Sequence, residues 1–256
     1  MKYTDMKIAF QTVYTLWLRE MLRFRRSKSR IIGSIATPLF FLVFLGSALD
    51  TAVDINGISY IDYMAPGIIA MSVLFSSLTG GISIIWDREF GYLKEILIAP
   101  VSRFYTALGK SVGGVTTALI QGIILMVIAG IIGVNYTSAW GQVLSIPIMF
   151  LIGLGFIGLG ISIASKIESI EGFQLVMTFL TFPLLMASTA FYPLENLPVW
   201  LKTIVLLNPL TYGIESLRWA LIADPQISPF TSLSVVIAFA FMMVILGGWS
   251  FNRVTS

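Results

Sequence analysis

The chain has 256 residues, of which 57% are hydrophobic and 11% charged, whereas an ordinary soluble domain carries about a quarter charged residues; with a mean hydropathy of +0.90, a soluble fold is excluded. Cysteine and histidine are both absent, which removes thiol nucleophiles, disulfides, Cys/His metal sites and the commonest general base. The net charge of +3 would point to nucleic acid only as a patch on a soluble surface, and the placement of the basic residues gives it another meaning.

The first 30 residues hold eight of the sixteen Lys and Arg residues. Phe10, Val13 and Trp17 recur at helical spacing against polar Lys7, Gln11 and Arg19, so residues 1–30 are expected to form an amphipathic cytoplasmic helix. It is expected to lie along the membrane surface, with Arg23, Arg25, Arg26, Lys28 and Arg30 near anionic headgroups. Thirty residues before a long apolar block do not read as a secretory signal.

Six charge-free stretches follow, since a charge at a helix centre costs about 2.5 to 3.5 kcal/mol on insertion. They run approximately over 31–49, 64–86, 111–134, 143–165, 173–191 and 231–251, and most reach the roughly 20 residues a helix needs to cross hydrocarbon. Fourteen of the sixteen basic residues lie on one side of these spans, with Lys202 and Arg218 on the other. The chain therefore reads as an all-α, six-span protein of the cell membrane with both termini cytoplasmic, and nucleic acid drops out as a partner.

Two motifs are decoys. Gly153, Gly155 and Gly158 spell GxGxxG, but a dinucleotide site needs a preceding strand; with Gly160, Ser162 and Ala164 they give small-residue spacing for close helix packing. Gly109-Lys110-Ser111 resembles the end of a P-loop, yet Phe104 stands where that loop needs glycine. No span carries the ionisable residue an ion-coupled carrier usually uses. Gln121, Thr116, Thr117, Thr178, Thr181, Ser188 and Thr189 are the polar interior candidates, and a path built from them suits a hydrophobic or amphiphilic cargo.

Two further segments do not span. In Asp87 to Lys110, the residues Phe90, Leu93, Ile96 and Leu97 mark one face of a short helix that Pro100 stops. Such a helix can dock in a partner's groove or rest on lipid. In Tyr192 to Phe230, Pro198 starts one apolar helix and Asn208-Pro209 breaks the chain before a second. Together they read as an external re-entrant hairpin or a surface cap, in which Glu215 and Arg218 can pair at i, i+3.

At these segments the chain resembles the membrane (permease) subunit of type-two ATP-binding-cassette exporters. REFGYLKEILIAPVSR (Arg88 to Arg103) is similar to that family's loop between its second and third spans. FYPLENLPVWL (Phe191 to Leu201) and NPLTYGIESLRWAL (Asn208 to Leu221) are similar to its external segment. The resemblance implies a half-transporter without a catalytic site of its own. It would be completed by a second copy or a homologous permease, surrounded by membrane lipid, and driven by a separate cytoplasmic ATPase that binds ATP and Mg. It carries over Arg88, Glu89, Gly91, Leu93, Lys94, Glu95, Leu97, Pro100 and Arg103 as the ATPase-coupling region. Lys94 departs from the small or polar residue expected there. Leu197, Pro198, Asn208, Pro209, Glu215 and Arg218 carry over as the external gate, and Thr178, Thr181 and Phe182 of the fifth span are pathway candidates. The alternatives are an integral membrane enzyme acting on lipid, for which Asp50, Asp54, Asp62, Glu168 and Glu171 match no metal motif, and an ion-coupled carrier.

Overall fold

Inside hydrocarbon every backbone N–H and C=O must be paired within its own segment, so long uncharged blocks fold as helices. A computed structural model describes residues 2–50, 55, 57–89, 103–167 and 169–252. Among these the chain is helical apart from turns and a bridge between Ile55 and Ile58. Helix α1 is Lys2–Arg26. Helix α2, Lys28–Phe40, contains Pro38 and widens into a π-helical segment, Phe41–Gly46, before α3, Ser47–Asp50. Helices α4, Tyr60–Gly80, and α5, Ile82–Glu89, meet at Gly81. Then come α6, Arg103–Ile132, α7, Ala139–Ala164, and α8, Ile170–Met186. Two short helices, α9 (Val199–Leu207) and α10 (Pro209–Ile222), precede α11, Pro229–Asn252.

Helix α4 is the core of the bundle. Tyr63, Met64, Ile68, Ile69, Val73 and Leu74 have no exposed surface, and α6, α7 and α10 pack around it. Glycines set the closest approaches. A Cβ on Gly158 of α7 would sit 2.5 Å from the Met243 carbonyl oxygen of α11, and one on Gly81 would sit 2.6 Å from the Gly160 backbone. The GxGxxG run thus packs helices, as its place in a span implied. Gly158→Leu is expected to separate α7 from α11, because backbone cannot yield as a side chain can. Loss of the monodisperse peak in detergent size-exclusion chromatography is the readout, with Gly33→Leu, whose Cβ position is open, eluting as wild type.

Among the described residues, five helices are long and apolar enough to span: Ile31–Asp50, Tyr60–Asp87, Phe104–Ile132, Ala139–Ala164 and Pro229–Phe251. The helix in the fifth expected position is the shorter Ile170–Met186. It ends five residues before the expected Phe191 because the chain turns where Asn208 Nδ2 donates to the Leu184 and Ala187 carbonyls, at 2.6 and 2.5 Å. Two spanning helices also run past their charge-free cores, so that Asp62, Asp87 and Lys110 stand on them, each with a partner in the bundle. Helix α1 differs most from expectation. It packs along the start of α6, burying Ala9 and Leu16 and leaving Phe10 on the exposed face. Gly109 and Gly113 make this possible, since a Cβ on Gly113 would meet Glu20 at 2.8 Å and one on Gly109 would meet Leu16 at 3.0 Å.

The last turns of α11 also reach this end of the bundle, where Gly247 and Gly248 share a small cavity with Phe104. Helix α1 and the last turns of α11 therefore meet the start of α6 at one end of the molecule, hereafter the basic end.

Candidate functional site

Three arrangements stand out, one at each end and one between. At the end opposite the basic one, Glu215 and Arg218 lie one turn apart on α10, are fully buried, and form an ion pair. The second Arg218 nitrogen donates to the Thr189 carbonyl at 2.6 Å and the Tyr63 carbonyl at 3.4 Å. Its guanidinium lies 4.0 Å from the centre of the Tyr63 ring, a cation–π contact. The other Glu215 oxygen accepts from Gln226 N at 2.7 Å, and Gln226 Oε1 accepts from Leu194 N at 2.8 Å. One ion pair thus ties α10 to α4, to the turn after α8 and to the connector into α9.

Asn208 and Pro209 reinforce this junction. The Asn208 side-chain oxygen accepts from Leu210 N at 3.0 Å, so it caps α10 with Pro209 in the first helical position. Its amide nitrogen closes the end of α8, and Tyr60 adds a bond from its hydroxyl to the Phe191 carbonyl at 2.7 Å. Nearby, Asp62 accepts from Asn135 N at 2.8 Å. The Tyr136 hydroxyl donates to the Met126 carbonyl at 2.7 Å; burial, helped by the Asp62 charge, pushes its pKa well above the usual phenol range. Leu197 and Pro198 stand apart on the connector, Pro198 at the cap of α9. Helix α9 presents Val199, Trp200 and Leu207 outward.

At the basic end the central group is Asp87, 1% exposed. It pairs with the buried Lys110 and, at 2.7 Å, with Arg19 of α1; Arg23 lies 3.9 Å from its other oxygen and 3.4 Å from Glu20. Lys110 also donates to the Ser83 carbonyl at 3.3 Å, and Trp17 Nε1 donates to Thr116 Oγ1 at 3.1 Å. Sequence reasoning missed this cluster, having placed Asp87 and Lys110 in a loop segment and Arg23 near lipid headgroups. The GxxxG spacing of Gly109 and Gly113 was the signal that a helix docks there. Helix α5 ends at Glu89, which is exposed, and α6 begins at Arg103. Gly91, Leu93, Lys94, Glu95, Leu97 and Pro100 lie outside the described residues.

Between these ends a cleft of about 580 Å³ opens among α2, α4, α5 and α8. Its apolar wall includes Phe75, Leu78, Ile82, Trp86 and Met177, and its α8 side carries Gln174, Thr178, Thr181 and Phe182. The three pathway candidates named from sequence thus share one wall. The Thr178 and Thr181 hydroxyls donate back to Gln174 and Met177 carbonyls at 2.9 and 2.6 Å, so their oxygens can still accept. Among the described residues, no side chain lining the cleft is charged.

Comparison with known proteins finds transporter permeases along most of the chain. The profile of the family described as ABC-2 type transporter matches residues 11–222. The putative transport permease ycf38 of Cyanophora paradoxa is 30% identical over 213 residues, covering 82% of this chain and 73% of its own. The inner membrane transport permease YadH of Escherichia coli K12 is 26% identical over 245 residues, 93% of this chain and 94% of its own. Nodulation protein J of Rhizobium leguminosarum bv. viciae is 26% identical over 214 residues, 82% of each chain.

Proposed function

The chain belongs to the ABC-2 type transporter family, and from that premise we propose that it is the membrane half of an exporter for hydrophobic or amphiphilic cargo. The observation that carries the cargo class is the cleft: it is sized like a small-molecule site, is mostly apolar, offers hydroxyls rather than charges, and lies on spanning helices. Cargo of the drug, lipid or polysaccharide class fits such a wall better than a small ion does.

In this reading α8, fifth in chain order, brings the number of crossings to six. Its 17 residues rise about 25 Å, enough for a short span, and it starts beside Trp86 and ends beside Tyr63. Six crossings return both termini to one side, in agreement with α1 and the last turns of α11 meeting at the basic end, and the excess of basic residues there makes that side cytoplasmic. Because the native chain has no cysteine, a single Cys introduced at Ser138 is expected to react with an impermeant thiol reagent from outside intact cells. Labelling only after the cytoplasmic face is opened would reverse the orientation.

The energy comes from a separate cytoplasmic ATPase that binds ATP and Mg, and docks on the segment from Arg88 to Arg103. Leu93→Asp or Leu97→Asp is expected to abolish co-purification of that ATPase while the permease still inserts, since each places a carboxylate in an apolar groove. Wild-type recovery of the ATPase with either variant would reject the docking role. A second copy, or a homologous permease, covers the aromatic faces that one chain leaves open, with Phe179 and Phe182 on α8 and Phe40 and Phe44 along the first span.

A further inference from the structure

The cleft does not end at Trp86. Ser34, Thr79, Ile82 and Trp86 also line a second, more enclosed chamber of about 60 Å³ toward the basic end. The chamber wall is of different chemistry. Ser76, Ser83, Thr117 and Gln121 face it, together with Glu20, Arg23 and Lys110. The two spaces form one compartment with an apolar body and a small polar end.

The polar end has two unmet demands. Gln121 is 2% exposed, and its side-chain oxygen has no donor among the described residues; a buried acceptor left bare is costly, so it calls for a hydroxyl or N–H. The second demand is charge. Around the chamber the described cations Arg19, Arg23 and Lys110 outnumber the described carboxylates Glu20 and Asp87. Lys110 is committed to Asp87 and the Ser83 carbonyl. Arg23 is not held so closely: its ion contacts are 3.4 and 3.9 Å long, and its guanidinium stands 5.5 Å from the centre of the Trp86 ring, at the seam between the two spaces.

We propose that this polar chamber receives the head group of the cargo, and that the preferred cargo is an amphiphile whose small head is anionic and carries hydroxyls, its chain lying in the cleft. The proposal rests on the cleft being the transport path. Arg23 turns from its long ion contacts to the anion, a hydroxyl of the head donates to Gln121 Oε1, and Trp86 separates head from chain. The chamber has space for about five water-sized spheres, which limits the head to a group of phosphoglycerol size.

The test uses the purified permease in detergent, analysed by native mass spectrometry with three dioleoyl lipids at equal concentration. Phosphatidylglycerol is anionic with hydroxyls, phosphatidylmethanol is anionic without them, and phosphatidylcholine has neither net charge nor a donor. Phosphatidylglycerol is expected to bind at least threefold more than phosphatidylmethanol, and that lipid more than phosphatidylcholine. Gln121→Met should abolish the first difference and Arg23→Gln the second, each without removing binding of the others. Gly33→Trp is expected to reduce all three together, because Gly33 lines the cleft and a Cβ there meets nothing within 4 Å. Equal binding of the three lipids to the wild type, or preferences that survive both head-group variants, would overturn the head-group assignment even where Gly33→Trp still blocks binding. Should Gln121→Met fail to fold, the wild-type series and Arg23→Gln still decide. If Gly33→Trp binds all three lipids like wild type, the cleft itself is not the path.

Discussion

Arg218→Ala is expected to be among the most damaging single substitutions in the molecule, lowering stability by about 3 to 5 kcal/mol, the usual cost of removing one partner from a buried ion pair. The physical reason is what remains. Glu215 stays fully buried with its charge opposed only by Gln226 N–H, and the Thr189 and Tyr63 carbonyls lose a shared donor. Glu215→Ala is expected to cost less, because Arg218 keeps both carbonyls and the Tyr63 ring. The double variant should recover part of the Arg218→Ala loss, since no unpaired carboxylate is left behind. Thermal unfolding of the purified permease at one scan rate checks this. A loss of about 3 kcal/mol corresponds to roughly 6 to 12 °C for a chain of this size. Strictly additive effects, or an Arg218→Ala protein as stable as wild type, would show that the pair does not hold α10 to α4. If the junction also closes the external gate, the variant that survives purification should leak cargo without ATP.

Much of this architecture can be read from charge alone, because a membrane helix excludes unpaired charge and so marks its own centre. The ends are less legible for the same reason. Asp62, Asp87 and Lys110 look like loop residues until their partners are known, and those partners are distant in sequence: Asn135 for Asp62, and Arg19 and Lys110 for Asp87. The i, i+3 spacing of Glu215 and Arg218 sufficed to name the pair. Nothing local indicates that Arg218 also reaches Thr189 and Tyr63, since those carbonyls come from other elements. In the cleft, Thr178, Thr181 and Phe182 share a face by helical spacing, whereas the facing wall from α2, α4 and α5 exists only in the packed bundle. Helix α1 shows the limit most clearly. Its amphipathic pattern does not say which neighbour the buried face takes; that is decided elsewhere, by Gly109 and Gly113 on α6.

That docking rests on Asp87, and Asp87→Ala is expected to release α1 from α6. Removing this carboxylate leaves Lys110, 2% exposed at its side chain, with only the Ser83 carbonyl at 3.3 Å, and leaves Arg19 and Arg23 with Glu20 as their described counter-charge. The expected loss is again about 3 to 5 kcal/mol, borne chiefly by the buried lysine, because the arginines are near enough to solvent to be screened. Lys110→Met should cost less, since Asp87 still has Arg19 at 2.7 Å and the apolar methionine leaves no buried cation. The double variant Asp87→Asn/Lys110→Met should lie nearer to Lys110→Met than to Asp87→Ala. Trypsin supplies a readout specific to α1: cleavage after Arg19 or Arg23, both held in the wild-type cluster, should accelerate at least tenfold in Asp87→Ala and little in Lys110→Met. If the segment from Arg88 to Arg103 docks an ATPase as proposed, a freed α1 should also weaken coupling, because α5 carries Asp87 into that segment; the sign is ATP hydrolysis that no longer responds to cargo. Protection of Arg19 and Arg23 in Asp87→Ala equal to wild type would mean that the glycine contacts and the Trp17–Thr116 hydrogen bond hold α1 without Asp87, and that the ion cluster serves the compartment beside it.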